Sequence, residues 1–131
     1  MFKKSLLALM FCASAFANAA VVVVANPGAN DIDAGTIKKV YLGKAKSLNI
    51  EALELEDGNP LKAEFHSKVT SKTEAQLQAY WAKKVFTGKG KPPKALTSSA
   101  LVKNAVANQS NAIGYIDESE VDSSVKVILR P

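Results

Sequence analysis

Few side chains in this sequence could carry out acid–base or covalent chemistry. The only histidine is His66, and the only cysteine, Cys12, falls in an apolar segment near the N-terminus. Glu54 and Glu56 lie two residues apart in a predicted strand, hence on one face of it, where we expect solvent to surround them. We also expect His66, beside Phe65 in a predicted helix, on a solvated surface. Without a nucleophile–base pair or a second imidazole, we predict no enzyme, no metal site and no cofactor.

Sequence motifs for serine hydrolases and for nucleotide binding are missing as well. The chain contains no G-x-S-x-G, G-x-x-x-x-G-K-[ST] or G-x-G-x-x-G pattern. The glycines and lysines of residues 88–91 are too few for a phosphate-binding loop, and no predicted strand precedes them. Binding is therefore easier to support than catalysis.

Two predicted turns could offer backbone amides to a ligand. Residues 26–30 follow the first predicted strand, residues 57–62 follow the second, and both contain glycine and asparagine. In open α/β sheets, anions collect at the carboxyl ends of strands, where the N-termini of helices point. We interpret these turns as candidate anion sites, and the alternative is that both are ordinary surface turns.

The first 19 residues have the features of a cleaved secretory signal. Two lysines precede an apolar run of 11 residues, 6–16, and residues 17–19 fit the A-x-A cleavage pattern. The run is shorter than the roughly 20 residues that span a bilayer. Phe11, which stands before Cys12, does not suit a lipoprotein signal. We predict cleavage after Ala19 and export from the cytoplasm; the alternative is a buried N-terminal helix.

Cleavage would leave residues 20–131, 112 of the 131 residues, which suffices for a single domain. Without the two signal lysines, the 17 basic residues become 15 against 12 acidic ones, a net charge of +3. That charge is too small to indicate nucleic acid binding. Its distribution is uneven, because residues 75–116 hold no acidic residue and six lysines: Lys83, Lys84, Lys89, Lys91, Lys94 and Lys103. We predict a local cationic face there; a solvated surface is the alternative.

Strand and helix patterns alternate along the predicted mature chain. The predicted strands are residues 21–24, 50–56, 112–116 and 125–129. Predicted helices begin near Asp33, near Pro60, at Ser71 or Thr73, and at Ser98 or Ser99. This order predicts an α/β three-layer sandwich with a mostly parallel central sheet and helices on both faces. The last two strands are joined by a short acidic segment, which predicts one antiparallel or edge pairing.

The clearest predicted helix carries four apolar or aromatic residues on one face: Leu77, Tyr80, Trp81 and Val85. The capping-box spacing fits two pairs at its start, Ser71 with Glu74 and Thr73 with Gln76. We expect Trp81 to anchor the core, because a large aromatic side chain on such a face buries a large apolar area.

Three segments resemble phosphate-type periplasmic substrate-binding proteins and a set of short exported relatives. Residues 37–44 are similar to an "I-F-x-G-K" segment near the start of those proteins. Residues 80–93 contain Tyr80 and Trp81, then a glycine–lysine stretch and two prolines, as in the short relatives. Residues 111–116 resemble the "G-A-I-G-Y" strand of both groups. The match runs in order from residue 21 to about residue 127.

The resemblance implies a type 2 periplasmic-binding-protein fold, in which two lobes close on a ligand and hand it to a membrane transporter. This chain is similar to one lobe, with the second omitted at residues 87–94. Phosphate binders place a Ser-Gly-Thr cluster where residues 57–61 stand here, so hydroxyls are lost and Pro60 removes an amide donor. Lys62 stands where short relatives have arginine, and it cannot form a bidentate fork.

From the turns and the resemblance together, we predict a periplasmic solute-binding domain for phosphate or a similar oxyanion, linked to ABC-type uptake. The expected ligand contacts are Asn26 and Gly28 from the first turn, and Gly58, Asn59 and Lys62 from the second. Lys89, in the loop where the second lobe is omitted, would close over the site.

The alternative prediction is a non-catalytic protein-interaction module that uses one lobe without a small ligand. Its half-cleft would be covered by an envelope protein or by a second copy of the chain, giving a homodimer. Its lysine-rich stretch would then dock on an acidic membrane protein or a lipid surface.

Overall fold

A computed structural model describes residues 20–131, which contain five strands and four α-helices. In chain order these are β1 (Val21–Ala25), α1 (Ala34–Tyr41), β2 (Glu51–Leu55), α2 (Pro60–Val69), α3 (Glu74–Phe86), β3 (Lys94–Leu96), α4 (Ser99–Ala107), β4 (Ala112–Asp117) and β5 (Lys126–Leu129). Short 3-10 turns follow α1 at Lys46–Leu48 and β4 at Glu118–Glu120. The predicted signal, residues 1–19, lies outside the described residues.

The strands form one mixed sheet in the order β3-β2-β4-β1-β5. β2 pairs in parallel with β3 and β4, whereas β1 pairs antiparallel with β4 and β5. The α/β class is confirmed. The expectation of a mostly parallel sheet is corrected, since two of the four pairings are antiparallel. β4 and β5 do not pair with each other, because β1 lies between them.

The direction of β1 decides which loops share an edge of the sheet. Ala25, at the end of β1, is paired with Ile113 near the start of β4, and Glu51, at the start of β2, is paired with Ala112. β1 and β2 therefore run in opposite directions. The turn after β1 and the turn after β2 lie at opposite ends of the sheet.

Helices cover both faces of the sheet, as β4 demonstrates. A Cβ atom added to Gly114 would lie 2.4 Å from Val102 Cγ1, so α4 packs directly on that face. The next residue, Tyr115, points to the other face and stacks on Phe65 of α2, with ring centroids 4.2 Å apart. The sandwich therefore has three layers, and Gly114 permits the close approach of α4.

Side-chain caps fix where the helices begin. Asp33, Asn59, Thr73 and Ser98 each accept a hydrogen bond from a backbone N–H in the first turn of the helix that follows. At α3 the capping box is formed by Thr73 and Gln76. Of the two predicted pairs, this is the one that the structure forms.

α3 packs through a small apolar cluster of Leu42, Leu77 and Trp81, with Tyr80 partly buried against it. Trp81 is buried, as predicted, but in this separate cluster and not in the main core. Val85 is not on the buried face, since 53% of it is exposed. Among residues 20–131, no helix combines the length and apolar character required to cross a membrane.

Candidate functional site

Two adjoining pockets share walls of Trp81, Pro92 and Pro93, between α3 with its following loop and the edge of the sheet. We call them together the Trp81 groove. One end, about 380 Å³, lies at the end of β2 and includes Glu54, Glu56, Asp57 and Lys62. The other end, about 920 Å³, lies at the start of β2 and includes three lysines, Lys46, Lys91 and Lys94, and one acidic residue, Glu51. The groove therefore has an acidic end and a basic end.

At the acidic end, Lys62 is neutralised by the chain itself. Its Nζ donates to Asp57 Oδ1 at 2.7 Å and lies 3.9 Å from Glu54 Oε2. The hydrogen bond from Lys62 is the main reason that the pKa of Asp57 falls below its usual value. Gln78 also donates to Asp57, at 3.2 Å. An anion at this end would have to displace carboxylates from Lys62.

Behind Lys62 lies a buried polar network that contradicts two expectations. Glu54 and His66 are only 2% and 1% exposed, so neither is solvated as predicted. His66 Nε2 is hydrogen-bonded to Glu54 Oε1. Thr70 Oγ1 lies within hydrogen-bonding distance of two His66 atoms, the carbonyl oxygen at 3.1 Å and Nδ1 at 2.9 Å. His66 is held between two partners inside the core.

Two tyrosines join this network to β2. Tyr115 OH accepts a hydrogen bond from Leu55 N at 3.1 Å and donates to Glu54 Oε1 at 3.3 Å. Tyr41 OH donates to the carbonyl of Leu53 at 2.9 Å. Burial raises the pKa of both phenols. The network contains no serine or cysteine. Its hydrogen bonds stabilise the buried Glu54 and hold the end of β2 in place.

In the turn after β2, the chain's own oxygens already occupy the predicted amide donors. Gly58 N donates to Glu74 Oε1 at 2.9 Å, and Leu61 N donates to Asn59 Oδ1 at 2.9 Å. The positive φ of Gly58, 88°, explains the glycine at that position. Gly58, Asn59 and Lys62 do lie together, as predicted, but within an acidic surrounding.

The turn after β1 lies at the other end of the sheet. Asn26 Oδ1 accepts from Gly28 N at 3.1 Å, and Asn26 Nδ2 donates to the carbonyl of Ala107 at 3.1 Å. The structure therefore does not bring Asn26 and Gly28 together with Gly58, Asn59 and Lys62. The expectation that both turns face one ligand is wrong because β1 runs antiparallel to β2.

Lys89 is also remote from the turn after β2. Glu74, the first residue of α3, contacts Gly58, whereas Lys89 follows the last residue of that 13-residue helix, about 18 Å along its axis. The carbonyl of Lys89 accepts a hydrogen bond from Lys46 Nζ at 3.1 Å. The backbone of Lys89 therefore lies beside the basic end of the groove, between Gly88 and Gly90, which line it.

The basic end lies on a larger surface that we call the lysine face. Residues 34–50 and 75–116 contain no acidic residue, and Tyr80 OH joins them by donating to the carbonyl of Leu42 at 2.6 Å. We define the lysine face as the lysines of these two segments up to residue 94: Lys38, Lys39, Lys44, Lys46, Lys83, Lys84, Lys89, Lys91 and Lys94. Within residues 20–131, none of these lysines forms an ion pair, whereas Lys62, Lys68, Lys103, Lys126 and Arg130 each do.

Sequence reasoning predicted part of this face from residues 75–116 and missed the part from α1. The signal was available, since residues 34–50 are equally free of acids. The sequence does not show that the two segments meet, a contact that the packing of Leu42 against Trp81 makes. In the described part of the chain, no cluster of three metal-ligating side chains is present.

No protein family and no curated protein matches this chain. Solved structures do match. An ABC-type phosphate transport receptor from Vibrio cholerae has a TM-score of 0.62 and 18% identity, with 84% of this chain and 45% of that chain covered. A Clostridium perfringens protein described as a phosphate ABC transporter substrate-binding protein, with bound phosphate, has a TM-score of 0.60 and 26% identity, with 84% and 44% covered.

PstS from Borrelia burgdorferi matches with a TM-score of 0.61 and 12% identity, with 84% of this chain and 46% of that chain covered. The chain thus spans less than half the length of each of these structures. The described residues have a single-lobe periplasmic-binding-protein-like fold.

Proposed function

We propose that this chain is a non-catalytic binding domain that acts outside the cytoplasm, takes a small oxyanion of the phosphate class and serves ABC-type uptake. The fold is that of one lobe of proteins whose own descriptions name phosphate transport. Export is supported by the signal pattern of residues 1–19.

The observation that carries the proposal is the basic end of the Trp81 groove. Lys46, Lys91 and Lys94 line it, and among the described residues none of them forms an ion pair, although Glu51 lines the same end. Trp81 with two prolines supplies a rigid apolar wall. Cations that no carboxylate has neutralised are available to a ligand, unlike Lys62. Lys46 is also oriented by its bond to the carbonyl of Lys89. The oxyanion would lie among these lysines.

The predicted contacts after β2 define a competing location for the same ligand. An anion there would need Gly58 N to leave Glu74 and Lys62 to leave Asp57. Each exchange replaces one negative partner by another, so the net gain is small. The two locations make opposite predictions for substitutions of Lys91 and Lys62.

Calorimetric titration with inorganic phosphate tests the proposal. Lys91→Ala and Lys94→Ala should each weaken binding roughly fivefold, the equivalent of an exposed ion contact of about 1 kcal/mol. The effect should shrink as ionic strength rises. Lys68→Ala is the matched control, because Lys68 is paired with Glu64 on α2 and does not line either end of the groove.

The outcomes separate the alternatives. Loss of binding in Lys62→Ala, with Lys91→Ala unchanged, would move the ligand to the acidic end. No heat of binding for the unsubstituted chain would remove the oxyanion proposal altogether.

The second candidate is the protein-interaction module, and one observation favours it. Gly28 N, Gly58 N and Leu61 N, from both predicted turns, are already hydrogen-bonded to oxygens of the chain. Light scattering after size exclusion, with and without phosphate, distinguishes the two functions. A complex or dimer whose molar mass is the same with and without phosphate supports the protein-interaction module. An unfolding temperature that rises with phosphate supports the oxyanion-binding domain.

A further inference from the structure

The end of α3 presents an apolar tip that serves no purpose within the fold. Phe86, the last residue of the helix, is 91% exposed, and its neighbour Val85 is 53% exposed. Exposure of a phenylalanine side chain to water is unfavourable, because its transfer to an apolar environment lowers the free energy. The helix is held by Leu77 and Trp81 and does not need Phe86 for its packing.

Cations surround this tip. Lys83 precedes it in the last turn of α3, and Lys89 follows it in the loop, and both are exposed. Lysines in a last helical turn also offset the partial negative charge of the helix end, which accounts for Lys83 and Lys84. Lys89 and Lys91 lie beyond the helix, and that explanation does not extend to them or to Phe86.

We propose that this end of the molecule docks on an anionic phospholipid bilayer, with Phe86 inserted among the headgroups and the lysine face against their phosphates. Basic surfaces with an exposed aromatic residue bind anionic membranes through apolar burial and charge together. The lysine face has nine lysines in two acid-free segments, so its charge is complementary to such a surface along both α1 and α3.

The size of the tip favours a bilayer over a protein partner. A stable protein interface buries about 800 Å² on each side around an apolar centre. Here the apolar part consists of two adjacent residues, Val85 and Phe86, within a field of lysines. A bilayer requires no larger apolar area, because its headgroup region accepts a single inserted side chain while the lysines are attracted to the surrounding anionic surface.

Co-sedimentation with lipid vesicles tests the proposal. The exported chain should bind phosphatidylcholine vesicles that contain phosphatidylglycerol, and not vesicles of phosphatidylcholine alone. Phe86→Ser should lower the partition coefficient about tenfold, as expected for loss of a partly inserted aromatic ring. Leu101→Ser is the control, since Leu101 is a half-exposed apolar residue on α4.

Charge variants examine the second half of the proposal. Lys83→Gln with Lys89→Gln should weaken vesicle binding and reduce its dependence on salt, whereas Lys68→Gln should not. Phe86→Ser should leave the phosphate titration unchanged, so failure of membrane docking can be told apart from failure of the proposed function.

Four results would overturn membrane docking. The first is that the chain binds neutral and anionic vesicles equally tightly, or binds neither. The second is unchanged vesicle binding by a folded Phe86→Ser chain, with folding checked by circular dichroism. The third is displacement from vesicles by inorganic phosphate at constant ionic strength, which would assign the contact to headgroup recognition in the groove. Equally tight binding of a soluble acidic polypeptide would indicate a protein partner instead.

Discussion

At the residue scale, the buried charges near the end of β2 are the least expected feature of this protein. Glu54 would be costly in the core if it were alone. It is instead hydrogen-bonded to His66 and Tyr115, and Lys62 lies 3.9 Å away. Lys62 therefore meets two carboxylates of the chain, Glu54 and Asp57, where an anionic ligand was expected.

The two buried tyrosines predict a loss of stability at alkaline pH. Burial raises the pKa of Tyr41 and Tyr115 in the folded chain, whereas tyrosine in the unfolded chain titrates near about 10. The folded state is therefore fully favoured below that pH. Above it, we expect the free energy of unfolding to fall by up to about 1.4 kcal/mol per pH unit for each tyrosine.

Urea unfolding between neutral and alkaline pH, followed by circular dichroism, measures this slope. Tyr41→Phe and Tyr115→Phe should each make it shallower, although each variant starts less stable because hydrogen bonds to Leu53 or Leu55 are lost. A slope identical in all three chains would contradict the argument.

Sequence reasoning could not find this network. The alternation of polar and apolar residues correctly predicted the strand. It also predicted that Glu54 is solvated, as Glu56 is, because the pattern does not show that α2 covers the face on which Glu54 lies. His66 is 12 positions from Glu54, and only tertiary packing brings them together. Trp81, in contrast, was predictable, since its role depends on local helical spacing.

At the scale of single elements, the helix boundaries follow from caps that can be read in the sequence. Thr73 Oγ1 accepts from Gln76 N at 3.2 Å, and Gln76 Oε1 accepts from Thr73 N at 2.9 Å. Both hydrogen bonds join residues three positions apart, so the sequence spacing alone limited the candidate capping boxes of α3 to two pairs. β3 was missed because it has three residues, follows two prolines and exists only through pairing with β2.

Removing the α3 cap should destabilise the protein by about 1 kcal/mol. The change is Thr73→Ala, which leaves Gln76 N without its side-chain acceptor. Thr73→Ser keeps the hydroxyl and is the matched control. Equal midpoints of urea unfolding for the alanine and serine variants would show that the cap contributes nothing.

At the scale of the whole molecule, stability is distributed unevenly around the sheet. Every residue of β1 is buried, as are five of the six in β4. Only Leu77 and Trp81 are buried in α3, a helix of 13 residues. α3 therefore has few contacts to break when it detaches from the rest.

We expect backbone amides of α3 to exchange with solvent faster than those of β1 and β4. Hydrogen exchange followed by NMR measures this directly, residue by residue. Equal protection in α3 and in the strands would mean that the molecule opens only as one cooperative unit. Faster exchange in α3 would mean that the Trp81 groove can widen without unfolding the sheet.

The separation of charge has a consequence for how this protein meets anything else. The lysines of the lysine face have no carboxylate partner within residues 20–131, whereas three of the four acidic residues at 117–122, Glu118, Glu120 and Asp122, are paired with Lys103 or Arg130. Such a molecule has a permanent electric polarity, so a distant negative object exerts a torque on it before any contact is made. We expect its first collisions with an anionic target to be pre-aligned, lysines foremost, and to lose that alignment as salt is added.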